Sequence, residues 1–222
     1  MLDNTTALPQ GALPDGIEPT AYRLSFRIDP EQAQFHGTVE IDLQLEQGQR
    51  AIYLHGKGLD VAQAQYRAGA STNFSEVEYL QVHDSGVVRL SRAEGFEAGP
   101  GMLRFEYQTP FNEDLESIYR VKTGETHAIY TQMEPISARL AFPGFDEPRF
   151  KTPFEVALEV PEGLVALANA PELSRVAIDV DGRVFHRIVF QKTPPLPTYL
   201  IALAVGDFDV VSGETLPANE LR

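Results

Sequence analysis

The 222-residue sequence contains no cysteine, which excludes disulfide bonds, thiolate metal sites and cysteine nucleophiles. It also has no run near the roughly 18 consecutive apolar residues that a membrane-spanning helix requires. The first residues lack the basic and apolar regions of a signal peptide. We therefore expect no membrane span, and a protein that is either cytoplasmic or, if a leader was removed, periplasmic or exported.

Basic residues are scarce, because 18 Lys and Arg stand against 32 Asp and Glu, for a formal net charge of -14. An acidic excess of this size opposes binding to phosphate backbones and to anionic lipid surfaces. The acidic residues are spread along the chain, which is typical of a solvated surface. Nucleic acid is therefore not expected as a partner.

Common catalytic signatures are also missing. A nucleophile elbow, a phosphate-binding loop and a dinucleotide fingerprint do not occur, because the glycines stand singly. The histidines are scattered and none has the two-histidine helical spacing of a zinc protease; they are His36, His55, His83, His127 and His186. We therefore expect no catalytic residue and no metal ligand within this chain.

The residues that are present predict an all-β protein. With 43% hydrophobic residues, the chain is long enough for one large β domain or two small ones. Apolar and polar residues alternate along 22–28 and 39–45, which is typical of strands with one solvated face. Further strand signals, separated by turn residues, lie at 51–55, 76–82, 87–90, 102–107, 154–160, 176–180, 184–190 and 199–205. This spacing favours antiparallel sheets packed as a β-sandwich or open barrel.

Between the strands, other segments have distinct characters. Asp181-Gly182 predicts a tight hairpin turn. The only helical signal covers a turn or two at 135–140, with Pro135 in the first turn. The polar stretch 112–126 reads as a long excursion over the surface, and two subregions of the fold would meet near it. Residues 1–18 read as an extended lead-in.

Residues 130–148, YTQMEPISARLAFPGFDEP, hold the densest set of functional groups. By composition this is a loop with three prolines, in which polar groups surround two aromatic rings. The interpretation that rests on the residues alone is a charged network pinned to an aromatic core, formed by Gln132, Glu134, Arg139, Asp146 and Glu147 with Phe142 and Phe145. A weaker alternative is a glycosidase that uses Glu134 and Asp146 as paired carboxylates.

This stretch closely resembles the motif Thr-Gln-x-Glu-Pro-x-x-Ala-Arg-x-x-Phe-Pro-x-x-Asp-Glu-Pro of M1 family zinc aminopeptidases, the aminopeptidase N group. Further similarities follow in the family's order at 19–24, 35–39, 167–169, 197–202 and 205–208. The resemblance implies an antiparallel, saddle-like β-sandwich, the N-terminal domain of a zinc metallo-aminopeptidase. It also implies that the parent removes N-terminal amino acids from peptides.

The resemblance assigns a role to one residue in particular. Glu134 matches the position that binds the free α-amino group of the substrate beside the catalytic domain. A carboxylate suits an ammonium group, because the bond between them is charge-assisted. Gln132 and Met133 would line or buttress the pocket for the first side chain. Ser137, Leu140 and Gly144 depart from the family pattern and put the local ion pairs in doubt.

The same resemblance implies a missing partner. The Gly-x-Met-Glu-Asn and His-Glu-x-x-His motifs of the family's catalytic domain do not occur here, so zinc is expected in the parent and not in this fragment, which should be inactive. The implied boundaries are a lead-in at 1–18, the β domain at 19–212 and the start of a linker at 213–222. Met133 or Phe145 would be exposed toward the absent catalytic domain.

Two further hypotheses keep the fold but not the activity. The chain could be a non-enzymatic β-sandwich that binds other proteins. It could also be the N-terminal domain of a catalytically inactive M1 relative. The presence or absence of a His-Glu-x-x-His helix in the parent distinguishes both from the aminopeptidase hypothesis.

Overall fold

The computed structural model describes residue 9, residues 11–69, residues 71–211 and residue 213. Short 3-10 helices lie at Ser137–Leu140 and Thr198–Leu200. The strands are β1 Ile17–Arg27, β2 Gln34–Leu45, β3 Gln49–His55, β4 Asp60–Ala68, β5 Ser75–Glu76, β6 Glu78–Gln81, β7 Val87–Phe96, β8 Gly99–Pro110, β9 Ser117–Thr123, β10 Thr126–Gln132, β11 Phe154–Pro161, β12 Val165–Ala168, β13 Glu172–Val180, β14 Arg183–Phe190 and β15 Leu203–Gly206. The chain is all-β, as predicted.

Three sheets form the fold. An eight-stranded sheet has the order β13-β14-β11-β1-β2-β8-β4-β5, a four-stranded sheet the order β12-β15-β10-β9, and a three-stranded sheet the order β3-β7-β6. Neighbouring strands are antiparallel except for β1 and β11, which pair in parallel. The sheets are therefore antiparallel as predicted, apart from this one pair, which joins segments far apart in the sequence and needs a long connection.

The large sheet has one buried and one solvated face. On β1, Tyr22, Leu24 and Phe26 are buried, while Arg23 and Ser25 on the opposite face are only half-buried. This alternation is the one predicted for 22–28. We call the buried side the inner face and the solvated side the outer face.

The smaller sheets contribute to the same hydrophobic core. On the three-stranded sheet, the Tyr79 ring lies 5.9 Å from the Phe105 ring of β8. The Phe96 ring lies 5.0 Å from the Tyr66 ring of β4. Aromatic contacts of this kind add to the free energy gained by burial.

Two local predictions differ from the structure. The stretch 112–126 is not a surface excursion throughout, because it contains β9, which forms a hairpin with β10 and buries Ile118. The strand predicted at 199–205 is too long at its N-terminal end, because Thr198–Leu200 is a 3-10 helix and β15 begins only at Leu203. Prolines at 195 and 197 precede that turn and favour a break in the strand.

The ends of the chain are described only in part. β1 begins at Ile17 and Leu13 is already buried, so the last residues of the expected lead-in belong to the folded domain. The rest of that lead-in, 1–8 and residue 10, lies outside the described residues, as does the expected linker 213–222 apart from Gly213. In the described part of the chain, no helix is long and apolar enough to span a membrane.

Candidate substrate-binding loop

The stretch 130–148, predicted as a loop, begins in β10, which contains the first motif residues Thr131 and Gln132. The rest of the motif forms one loop, here called the motif loop (residues 133–148). It enters from β10, whose Gln132 pairs with Ser117 of β9. Its backbone turns at once, because the Ser137 amide donates to the Met133 carbonyl at 2.8 Å. The 3-10 helix Ser137–Leu140 follows directly and places Arg139 in the interior.

The three predicted site residues do not all face the same way. Gln132 and Glu134 are exposed, whereas Met133 between them is 2% exposed. Gln132 is the last residue of β10 and Glu134 is the first residue of the turn that follows. Both side chains are therefore accessible to a ligand, and Met133 packs beneath them in the core.

The predicted exposure of Met133 and Phe145 is wrong. Both side chains are buried in the main hydrophobic core, because the motif loop folds back onto the sheets instead of standing away from them. The exposed apolar side chain beside Glu134 is Ile136, which is 51% exposed.

A buried ion pair fixes the base of the motif loop. The Arg139 Nε donates to Asp146 Oδ2 at 2.8 Å, and one terminal nitrogen of Arg139 donates to the Asp146 carbonyl at 3.0 Å. The Thr198 hydroxyl donates to Asp146 Oδ1 at 2.6 Å. Both carboxylate oxygens are satisfied inside the protein, and the pair holds the 3-10 helix against the C-terminal part of the loop.

The charged network predicted from composition is therefore real for Arg139 and Asp146 but does not extend to the other members. Glu147 instead pairs with Arg149 at 2.6 Å and accepts a hydrogen bond from the Leu13 amide. Within the described residues, the Glu134 carboxylate has no hydrogen bond and no ion pair.

Tyrosine hydroxyls from the large sheet hold the middle of the loop. Tyr107 donates to the Ala141 carbonyl at 2.6 Å, and Tyr22 accepts from the Phe145 amide at 2.9 Å. Burial raises the pKa of Tyr22 and of Tyr107, so both hydroxyls stay protonated at neutral pH. From the sequence, Tyr22 was predicted only as a buried residue of a strand. The hydrogen bond of its hydroxyl to the motif loop is seen only in the structure.

His55 joins the loop to the three-stranded sheet. Its amide donates to the Gly144 carbonyl at 2.8 Å, and the Gly144 amide donates back at 2.9 Å. Burial, with a smaller contribution from the Arg139 guanidinium, lowers the pKa of the His55 imidazole to about 4. His55 is therefore a neutral, buried side chain at neutral pH, consistent with its expected structural role.

The geometry argues against paired-carboxylate chemistry. Asp146 is buried and paired with Arg139, while Glu134 is exposed to solvent. A glycosidase needs both carboxyl groups in one open cleft. Across the described residues, no three His, Asp or Glu side chains are grouped as a metal site would require.

The comparison with known proteins is decisive for the family. Residues 18–200 match the family described as the Peptidase M1 N-terminal domain. The chain belongs to this family. The M1 motif quoted from the sequence thus identified the family correctly, and from Met133 onward its residues form the motif loop.

Named relatives are aminopeptidases. The chain is 30% identical to Aminopeptidase M1-B of Oryza sativa subsp. japonica, over 96% of its own length and 24% of the relative. It is 32% identical to Aminopeptidase M1 of Arabidopsis thaliana, over 95% and 24%. It is also 32% identical to human endoplasmic reticulum aminopeptidase 1, over 90% and 22%. This M1 domain spans about a quarter of the length of these relatives.

Proposed function

We propose that this M1 domain is the substrate-binding and scaffold part of a zinc-dependent aminopeptidase, and that Glu134 binds the free α-amino group of the peptide. One observation carries the proposal: within the described residues, Glu134 is an exposed carboxylate without a partner, on a loop with a buried and fully bonded base. Because the loop backbone is already held in place, binding an ammonium group there would cost little backbone entropy.

The neighbouring residues fit supporting roles. Gln132, also exposed and two residues away, would add neutral hydrogen-bonding groups near the carboxylate. Met133 buttresses the segment from the core, since its buried side chain cannot line an open pocket. Fixing the amine at one place would limit cleavage to the first residue of a peptide.

The chemistry would belong to a partner. The described part of this chain offers no set of side chains for zinc, so no step of peptide hydrolysis is assigned to its residues. We propose that a separate catalytic domain of the same protein holds the zinc. Ile136, exposed next to Glu134, is positioned to pack against that domain.

The test uses the complete protein that contains this chain. Replacing Glu134 by Gln removes the charge but keeps the shape, and kcat/KM for an unblocked aminoacyl substrate should fall about 10- to 100-fold. Glu113→Gln, a change at another exposed carboxylate, is the matched control and should leave kcat/KM unchanged.

Two results would count against the proposal. Near-normal kcat/KM in the Glu134 variant would remove its role. Release of N-terminal residues by the 222-residue chain alone would show that the chemistry does not need a separate domain.

A further inference from the structure

The outer face of the large sheet carries a cavity of about 730 Å³, which the motif loop does not reach. The loop packs on the inner face, where the Phe142 ring lies 6.3 Å from the Phe26 ring. Ser25 lines the cavity from the opposite face of the same strand. A ligand in this cavity would therefore be independent of Glu134.

Small side chains form the floor of the cavity. The strand register places Ser25 directly beside Thr38 on one side and Ala157 on the other. Two residues after Ser25 on β1, Arg27 lies between His36 of β2 and Glu159 of β11. Glu159 in turn lies beside Arg187 of β14. We call this second line of residues the basic row: His36, Arg27, Glu159 and Arg187.

Glu159 orients the two arginines of the basic row. Its Oε2 accepts from Arg27 Nε at 2.9 Å, and its Oε1 accepts from a terminal nitrogen of Arg187 at 2.9 Å. The Glu159 side chain is 14% exposed, whereas Arg27 and Arg187 are 44% and 41% exposed. The carboxylate is thus covered, and the guanidinium groups face solvent in fixed positions.

Arg27 and Arg187 still have N–H donors without a partner among the described residues. Each guanidinium has five N–H donors, and among the described residues the two terminal nitrogens of Arg27 have no partner. Arg187 also donates to the Ser25 hydroxyl oxygen at 3.2 Å, which leaves the hydroxyl hydrogen of Ser25 free to point into the cavity. Thr38 adds a second hydroxyl on the floor.

The charge around the basic row is mixed. A second cavity of about 310 Å³ shares Arg27 and His36 with the first and adds Arg183. Arg183 pairs with Asp29 at 2.7 Å. Arg27 and Arg187 share the single Glu159 carboxylate, so the basic row itself keeps one uncompensated positive charge. Of the other carboxylates that line the first cavity, three are each paired with a basic side chain: Glu40 with Arg23, Glu106 with Arg104 and Glu155 with Lys192. Asp60 in the first cavity and Asp181 in the second have no ion pair among the described residues.

We propose that the basic row and the floor bind an oxyanion, a phosphate or carboxylate group of a small molecule. Arg27 and Arg187 supply paired donors of the kind that recognise such groups, and Ser25 and Thr38 supply hydroxyl donors. Glu106, which pairs with Thr38 in the register, bounds the site with negative charge on its far side.

The experiment is isothermal titration of inorganic phosphate and, separately, citrate into the 222-residue chain at low ionic strength. Saturable 1:1 binding of at least one of them is expected. Binding of phosphate alone would identify a phosphate ligand, and binding of citrate alone a carboxylate ligand. Arg187→Gln should weaken binding about tenfold, because it removes a charged donor.

Two further variants make the test specific. Glu106→Gln should strengthen binding severalfold, because a nearby like charge is removed, and a misfolded variant cannot produce that gain. Arg175→Gln on β13 removes an arginine that is also paired with a glutamate, and should have no effect. Absence of saturable binding by either anion, or equal loss in the Arg175 and Arg187 variants, would overturn the proposal.

Discussion

At the scale of single residues, the pair formed by Asp146 and Arg139 is the strongest internal constraint on the motif loop. Both side chains are largely removed from water, with exposures of 4% and 10%. A buried pair of this kind is not by itself evidence of high stability, because both charges lose hydration. Its contribution is specific: it determines where the loop is anchored, and so where Glu134 stands.

Asp146→Ala should destabilise the protein by about 3–5 kcal/mol, because it leaves the Arg139 guanidinium buried without its counter-charge. The free energy of unfolding in urea measures this. Asp15→Ala breaks an ion pair whose carboxylate is almost fully exposed and should cost no more than about 1 kcal/mol. Equal losses in the two variants would contradict the role given to the buried pair.

His55 should make the protein sensitive to acid. Its pKa is lowered from 6.5 to about 4 in the folded state, so below pH 6.5 the unfolded chain binds a proton that the folded chain does not. The stability linked to His55 is therefore full above pH 6.5 and is lost as the pH falls toward 4, by about 3 kcal/mol at most.

The check is the free energy of unfolding measured from pH 4 to 7. In His55→Gln the curve should be flatter over this interval than in the unaltered protein. His83→Gln, at an exposed histidine, should keep the original slope. A His55 variant with an unchanged slope would show that other groups cause the acid sensitivity.

At the scale of elements, strands β2 and β8 position the motif loop through a glycine. Gly37 lies opposite Tyr107, and a Cβ at position 37 would lie 2.3 Å from the Tyr107 ring. The Tyr107 hydroxyl bonds the loop at Ala141. Glycine at this position therefore lets the ring lie across β2 and reach the loop.

Gly37→Ala should displace Tyr107 and destabilise the protein by about 1–3 kcal/mol. Tyr107→Phe keeps the ring and removes only the hydrogen bond, at a cost of about 1–3 kcal/mol for the unsatisfied carbonyl. Hydrogen exchange of the Gly144 amide should quicken in both variants. Gly48→Ala, where the nearest atom to the added Cβ is 3.4 Å away, is the control. Unchanged exchange after Gly37→Ala would refute the link.

Most strands could be predicted because alternation is a local property. Residues 22–28 and 39–45 show it clearly, and both lie in long strands with one buried face. Four strands were not predicted: β4, β9, β10 and β12. β9 was missed because few of its residues are buried: Ile118 is the large apolar one, and Arg120 and Lys122 are typical of a surface loop. The parallel pairing of β1 with β11 had no local signal, since partners distant in sequence decide it.

At the scale of the whole molecule, the motif predicted the family but not how the residues of the proposed site are arranged. Gln132 and Glu134 lie on the surface as expected, and Met133 and Phe145 do not. Burial depends on how the loop folds back over three sheets, which composition does not specify. The basic row could not be predicted from the sequence either. Arg27 and Arg187 are far apart in the sequence, and only the strand order β14-β11-β1 brings both to the Glu159 carboxylate.

The central claim is that the motif loop presents Glu134 to the substrate amine. Its most direct test compares two inhibitors of the complete protein, one with a free α-amino group and an analogue in which hydrogen replaces that group. In Glu134→Gln, affinity for the amine-bearing inhibitor should fall about 10- to 100-fold while affinity for the analogue stays unchanged. Equal loss for both inhibitors, or no loss for either, would contradict the claim.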